Sequence, residues 1–161
     1  MLATYWGHLE CVRACLQRSD CDVNTTDSKG NTALMLAATK AKIPSDNYAL
    51  ILKELLQNES IEINRVPGVH GSALVGALVT HETTAAEILV ADRRCGVNVR
   101  VSLGSTPLIF AARNTEIHGD KWSRLIVQLM ARSDINTHLV NEDGHTAVAE
   151  YINRRTLNSP H

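Results

Sequence analysis

Aromatic side chains are scarce in this chain of 161 residues, which holds two Trp, three Tyr and one Phe. That scarcity argues against a base-stacking platform for single-stranded nucleic acid. Charge of one sign is also lacking: 16 Lys and Arg face 17 Asp and Glu, for a net charge of −1. A near-neutral chain has no general electrostatic attraction to nucleic acid or to an anionic membrane surface, so neither is expected as a partner. Only 4 prolines and 9 glycines are present, which excludes collagen-like repetition. No apolar run approaches the roughly 20 residues that a membrane span needs. Cysteine is limited to Cys11, Cys15, Cys21 and Cys95. With no secretory leader upstream and no zinc-type spacing, buried thiols in a reducing cytoplasmic or nuclear compartment are expected. The sequons at Asn24-Thr25-Thr26 and Asn58-Glu59-Ser60, lacking a secretory context, are read as chance matches. What is present is a composition 44% apolar and 20% charged, enough to bury a core and to exclude disorder.

Catalytic signatures are missing as well. His81-Glu82-Thr83-Thr84-Ala85 opens like a zinc-protease helix, but Ala85 stands where the second histidine ligand is required. Phosphate-binding glycine loops and a nucleophile elbow are absent. His138 and His145 flank Glu142 and Asp143, a grouping read as a solvated loop tip rather than a metal site. The expectation is therefore a non-enzyme with no cofactor and no metal.

Self-similarity is the dominant positive feature. Gly30-Asn31-Thr32-Ala33-Leu34, Gly71-Ser72-Ala73-Leu74, Gly104-Ser105-Thr106-Pro107-Leu108 and Gly144-His145-Thr146-Ala147-Val148 repeat one word, with hydroxyl residues 40, 34 and 40 positions apart. A second word recurs as Asp22-Val23-Asn24, Glu62-Ile63-Asn64, Gly96-Val97-Asn98 and Asp134-Ile135-Asn136, with asparagines 40, 34 and 38 apart. Two words drifting together define a period. Each hydroxyl is a good N-cap for a first helix, in which small residues such as Ala37-Ala38, Gly76-Ala77 and Ala111-Ala112 permit close approach. A second helix carries paired aliphatics, as in Leu50 to Leu56 and Ala85 to Val90, the latter opened by a capping box from Thr84 to Glu87.

These words resemble the ankyrin repeat. The resemblance is carried by Gly104-Ser105-Thr106-Pro107-Leu108 with Ala111-Ala112, by Gly7-His8-Leu9-Glu10 and by Asp22-Val23-Asn24. It implies an all-α solenoid of stacked helix-turn-helix units with extended finger loops. The expected organisation is a single array over residues 1–161, with a partial repeat at 1–24, full repeats at 25–64, 65–98 and 99–136, and a partial or capping repeat at 137–161. Departures accompany the resemblance. The histidine that follows Thr-Pro-Leu in the family is replaced by Met35, Val75, Ile109 and Ala149, and proline is kept only at Pro107.

The small-residue-to-aliphatic spacing is seven from Ala3 to Glu10 and from Ala77 to Thr84, but 13 from Ala37 to Leu50 and from Ala111 to Arg124. Two repeats thus carry inserts, Thr39 to Asn47 and Arg113 to Lys121. Ile43, Pro44, Ile117, His118 and Trp122 there either frame a contact surface or fold back on the core, and the second reading is preferred. The first repeat lacks its finger and the last lacks a second helix, so further repeats or domains on either side, or contacts through the end faces, are expected; Ala147 to Ile152 resembles a closing helix.

The resemblance also implies where a partner would lie: in the groove formed by finger tips and first-helix faces. Carried over by position, the partner-binding residues are Lys29, Lys40, Val69, His70, Arg100, Leu103, Arg113, Asn114, Leu139 and Arg154, with Asn141 and Glu142 also at a tip. Lys40, Arg113 and Arg154, with Arg100 nearby, give this row a basic bias that suits an acidic or phosphorylated peptide. A second mode uses the apolar tips Val66, Val69, Leu103 and Leu139. The resemblance further implies that Asn24 and Asn64 are of the kind hydroxylated by an asparaginyl hydroxylase, beside a structural role in the turn. The function implied is a protein-binding scaffold; the alternative is a targeting or substrate-recruiting segment of a larger enzyme or effector.

Overall fold

The computed structural model describes residues 1–39, 47–66, 71–113 and 119–157. The chain forms two compact units, residues 1–95 and 96–161. The first holds α1 (Leu2–Tyr5), α2 (Leu9–Leu16), α3 (Ala33–Ala38), α4 (Asn47–Gln57), α5 (Ala73–Val79) and α6 (Thr83–Ala91). The second holds a 3-10 turn at Ser102–Gly104, then α7 (Pro107–Arg113), α8 (Gly119–Met130) and α9 (Ala147–Leu157). Among the described residues there is no β-strand, only an isolated antiparallel bridge between Thr26 and Thr32.

The capping hydroxyls start the first helices as their position predicts. Thr32 Oγ1 accepts from Met35 N at 3.2 Å, Ser72 Oγ from Val75 N at 3.4 Å, Thr106 Oγ1 from Ile109 N at 3.4 Å and Thr146 Oγ1 from Ala149 N at 3.3 Å. Each satisfies an amide that the first turn would leave without a partner. The four residues that replace the family histidine are thus held by their own amides. The small residues do what their size allows: Ala37, Ala38, Ala77 and Ala111 are completely buried, and in the first unit α3 packs against α4 and α5.

Two expectations are corrected. The helix expected to open at Thr84 begins at Thr83 with Glu82 in the cap position and no side-chain cap bond, so Thr84 lies inside the helix and forms no capping box. The cysteines were expected to be buried, and only Cys95 is; Cys11 and Cys15 are exposed and Cys21 is half-buried. Val12 is the buried residue of α2, and Cys11 and Cys15 both fall on its open side. The inserts at 40–46 and 114–118, with Ile43, Pro44, Ile117 and His118, lie outside the described residues. Trp122, just beyond the second insert, is fully buried and its Nε1 donates to the Ala111 carbonyl at 2.9 Å. It folds back on the core.

The finger asparagines link one repeat to the next. Asn24 Nδ2 donates to Ser60 O at 2.7 Å while its Oδ1 accepts from Glu62 N at 2.9 Å. Asn98 repeats this with Asp134 O at 2.6 Å and Asn136 N at 2.8 Å, and Asn64 Nδ2 reaches Arg94 O at 2.8 Å. One side-chain amide satisfies a donor and an acceptor of the neighbouring loop, which is why an amide fits this position.

Candidate functional site: finger tips and first-helix ends

The fingers differ in how their turns are held. In the first, Asp27 Oδ1 accepts from Lys29 N at 2.9 Å and Asn31 N at 2.8 Å, and Oδ2 accepts from Asn31 Nδ2 at 3.1 Å. These bonds from Asn31 hold the Asp27 carboxyl below the ordinary carboxylate range. Lys29 stands exposed at this tip. In the last finger Asn141 takes the same position, its Oδ1 accepting from His145 N at 2.8 Å. In the finger that precedes Thr106 that position is Val101, which has no side-chain acceptor.

Two residues on, the backbone of this finger differs from that of the first and last fingers. Leu103 adopts φ 58° and ψ 28°, followed by Gly104 at φ 66°. A left-handed pair in succession is natural for glycine and costly for leucine. The turn is held from the next finger: Glu142 N donates to Leu103 O at 3.0 Å, and Arg100 Nη1 donates to Val140 O at 2.6 Å and to Gly104 O at 3.3 Å. A Cβ on Gly104 would stand 3.3 Å from Glu142 N, a tight contact, and its positive φ is what favours glycine there. The Ser105 hydroxyl is completely buried without a hydrogen-bond partner among the described residues. Leu103 itself is 59% exposed at the tip.

The first-helix ends carry the expected cations in unequal states. Arg113 Nη2 donates to Glu150 Oε1 at 2.8 Å, with side-chain exposures of 19% and 10%. The same oxygen accepts from Asn141 Nδ2 at 2.7 Å and lies 3.5 Å from His145 Nδ1. Arg113 also stands 6.0 Å from the centre of the Phe110 ring. Its hydrogen bond holds the Glu150 carboxyl below the ordinary glutamate value, and Glu150 in turn raises Arg113. Arg113 is therefore committed within the protein, and Asn141, expected at a tip, is buried at 4% exposure. Arg154 is exposed and makes no ion pair among the described residues. Leu139 is half-buried and Val79 exposed. Lys40, Val69, His70 and Asn114 lie outside the described residues.

Asp143, His145 and Glu150 bring their ligand atoms within 4.8 Å of one another. The Arg113 guanidinium already occupies the Glu150 oxygen, so a cation there would meet a fixed positive charge. His81, read from sequence as the start of a broken metal motif, sits at φ 62° ahead of α6. It occupies the turn position that Gly7 takes at φ 71°.

The pattern of capped first helix, second helix and asparagine-linked finger has a counterpart among known families. The family model described as ankyrin repeats, in three copies, matches residues 1–67. This stretch belongs to the ankyrin repeats. The fold is all-α and of the ankyrin-repeat type, and the second unit carries the same capping, glycine and asparagine devices as the matched repeats. Ankyrin repeats are in general protein-protein interaction modules, and the family is typically non-catalytic. A comparison with curated proteins returns no match. Among the described residues no helix is long and apolar enough to cross a membrane.

Sequence reading missed Glu150 and its role. The available signal was the alignment of the repeats: Glu150 stands where Leu36, Gly76 and Phe110 stand, a charge at an otherwise uncharged position.

Proposed function

We propose that the protein is a non-catalytic interaction scaffold that grips another protein or peptide with its finger tips and the exposed ends of its first helices. The observation that carries this reading is Leu103. An exposed leucine in the left-handed region costs about 1 to 2 kcal/mol against an unstrained backbone, and neither burial nor any structural bond of its side chain offsets that cost. The backbone bonds from Glu142 and Arg100 hold the turn, and an apolar anchor for a partner is the role that accounts for a leucine at its tip. Arg154 lies on the α9 row of the same unit and supplies a cation with no ion pair among the described residues, so the partner chemistry is an apolar side chain for Leu103 and Leu139 beside an acidic or phosphorylated group. In the first unit Lys29 and Val66 are the corresponding exposed tip residues. The scaffold binds with little ordering cost because hydrogen bonds already hold its fingers. The free, exposed thiols of Cys11 and Cys15 suit a reducing compartment, cytoplasm or nucleus.

The test is Leu103→Gly combined with Arg154→Glu. Proteins captured by the wild-type chain are identified by mass spectrometry, and the direct binders are purified and titrated. Binding is expected to fall at least about tenfold for the double variant and to be unchanged for Lys53→Glu, on the exposed side of the second helix α4. Equal binding by the finger variant and the wild type overturns the reading.

A further inference from the structure

The last first-type helix exposes side chains that its counterparts bury. Val148 stands where Leu34, Leu74 and Leu108 stand after the capping hydroxyl, and Ile152 where Ala38, Leu78 and Ala112 stand. Those six are at most 7% exposed, whereas Val148 is 63% and Ile152 54% exposed. What covers the equivalent positions in the first unit is helical: α4 and α5 pack on α3, and α6 packs on both α5 and α3.

The neighbouring helix α8 offers a matching stripe. Its buried side carries Trp122, Leu125 and Leu129. Ser123, Ile126, Val127 and Met130 follow helical spacing on another side, with Val127 66% and Met130 50% exposed. Between α8 and α9 runs an open groove of about 380 Å³ walled by Leu108, Ile126, Met130, Val148 and Tyr151. A contiguous apolar surface of this kind marks an interaction site.

We propose that this groove docks an amphipathic α-helix of a partner protein, with small residues facing Tyr151 and carboxylates on its flank. The helical form continues the arrangement by which second helices cover first helices elsewhere in the chain. The small residues follow from Tyr151, which replaces Ala37, Ala77 and Ala111 and holds an incoming backbone farther away than α4 or α6 lies from its own partner. The carboxylates follow from charge. Trp122 Nε1 bonds to Ala111 O near the end of α7, and Arg113 at that end reaches Glu150. The first turns of α8 and the first turn of α9, which holds Glu150, therefore lie together near the end of α7, with Arg154 one turn farther along α9. Lys121 and Arg124 there, and Arg154 beyond, are exposed and make no ion pair among the described residues, and Asp120 is the one exposed acid among the described residues of these turns. Helix-in-groove recognition with charged flanks is a general mode of binding.

The test uses two synthetic alanine/leucine helical peptides of about 20 residues, long enough to hold helix when bound, one with Glu and one with Lys on the polar face. Each is titrated with the full chain by fluorescence anisotropy. The Glu peptide is expected to bind at least about tenfold tighter than the Lys peptide, and Val148→Glu with Ile152→Glu to weaken it by about tenfold or more. Both positions are exposed, so the variant folds, and circular dichroism checks that it does. Arg124→Glu should narrow the preference between the peptides. No binding, equal binding of both peptides, or binding indifferent to the groove variant overturns the proposal. So does a concentration-dependent dimer that the groove variant abolishes, which would place a second copy of this chain in the groove.

Discussion

Replacing Glu150 by glutamine removes the charge from a carboxylate whose Oε1 accepts from Arg113 and Asn141 at 2.8 and 2.7 Å. Both members of the ion pair are less than one-fifth exposed, so solvent screens the pair only in part. Glutamine keeps one acceptor oxygen but loses the charge assistance, for a cost of about 2 kcal/mol; alanine takes the acceptor away from the Arg113 guanidinium and from Asn141 Nδ2 and costs about 3 to 4 kcal/mol. Against a typical total of about 5 to 15 kcal/mol either is a large fraction. The assay is urea unfolding followed by Trp122 fluorescence in a Trp6→Phe background, so that the signal reports the second unit. Combining Arg113→Met with Glu150→Leu should cost less than Glu150→Ala alone, because no charge is then left buried. The sign of the pH dependence follows from the direction of the shift. The Glu150 carboxyl is held below its ordinary value, chiefly by the Arg113 hydrogen bond. Its contribution is complete above about pH 4.3, the ordinary glutamate value, and is lost as pH falls through the lower folded value. The penalty of Glu150→Gln should shrink over that acidic window. A coupling energy between Arg113→Met and Glu150→Gln below about 0.5 kcal/mol would refute the reasoning, since that is what independent sites show. The same pair explains why charge reversal at Arg113 confounds any binding measurement: a carboxylate there would face Glu150 and unsettle the fold, whereas Arg154→Glu does not.

Two further outcomes are expected. His81→Gly should stabilise the first unit by about 1 kcal/mol in thermal or urea unfolding, because glycine adopts the left-handed conformation without steric cost; a loss of stability would show that the imidazole contributes more than its backbone costs. Cys11 and Cys15 should react with a thiol reagent within the mixing time of an exposed thiol, while Cys95, 2% exposed, should react only as the protein opens. Equal rates for all the cysteines would contradict the burial pattern.

What could be read from the amino acids alone was local and repeated. The capping hydroxyls, the small residues of the first helices, the glycines of the repeated word and the finger asparagines each act within a few residues or at one repeat's separation, and repetition made them recognisable; that the glycines are left-handed came from the fold. Position along the period also identified Leu103 as a tip residue. Its left-handed conformation, in a finger where Val101 stands in place of the acceptors Asp27 and Asn141, belongs to the folded turn and not to its place in the period.

Tertiary structure decided the state of each cation and thiol. Arg113 and Glu150 are 37 positions apart, and nothing in the spacing of either says that their side chains meet. Their pairing depends on how α7 and α9 pack. Cys11 and Cys15 share one helix with the buried Val12, and which side of that helix faces inward is a property of the packed unit. Val148 and Ile152 fit the repeat pattern as well as their buried counterparts do. Their exposure follows from what lies against α9, because periodicity specifies which residues share a face and only packing specifies whether that face is covered.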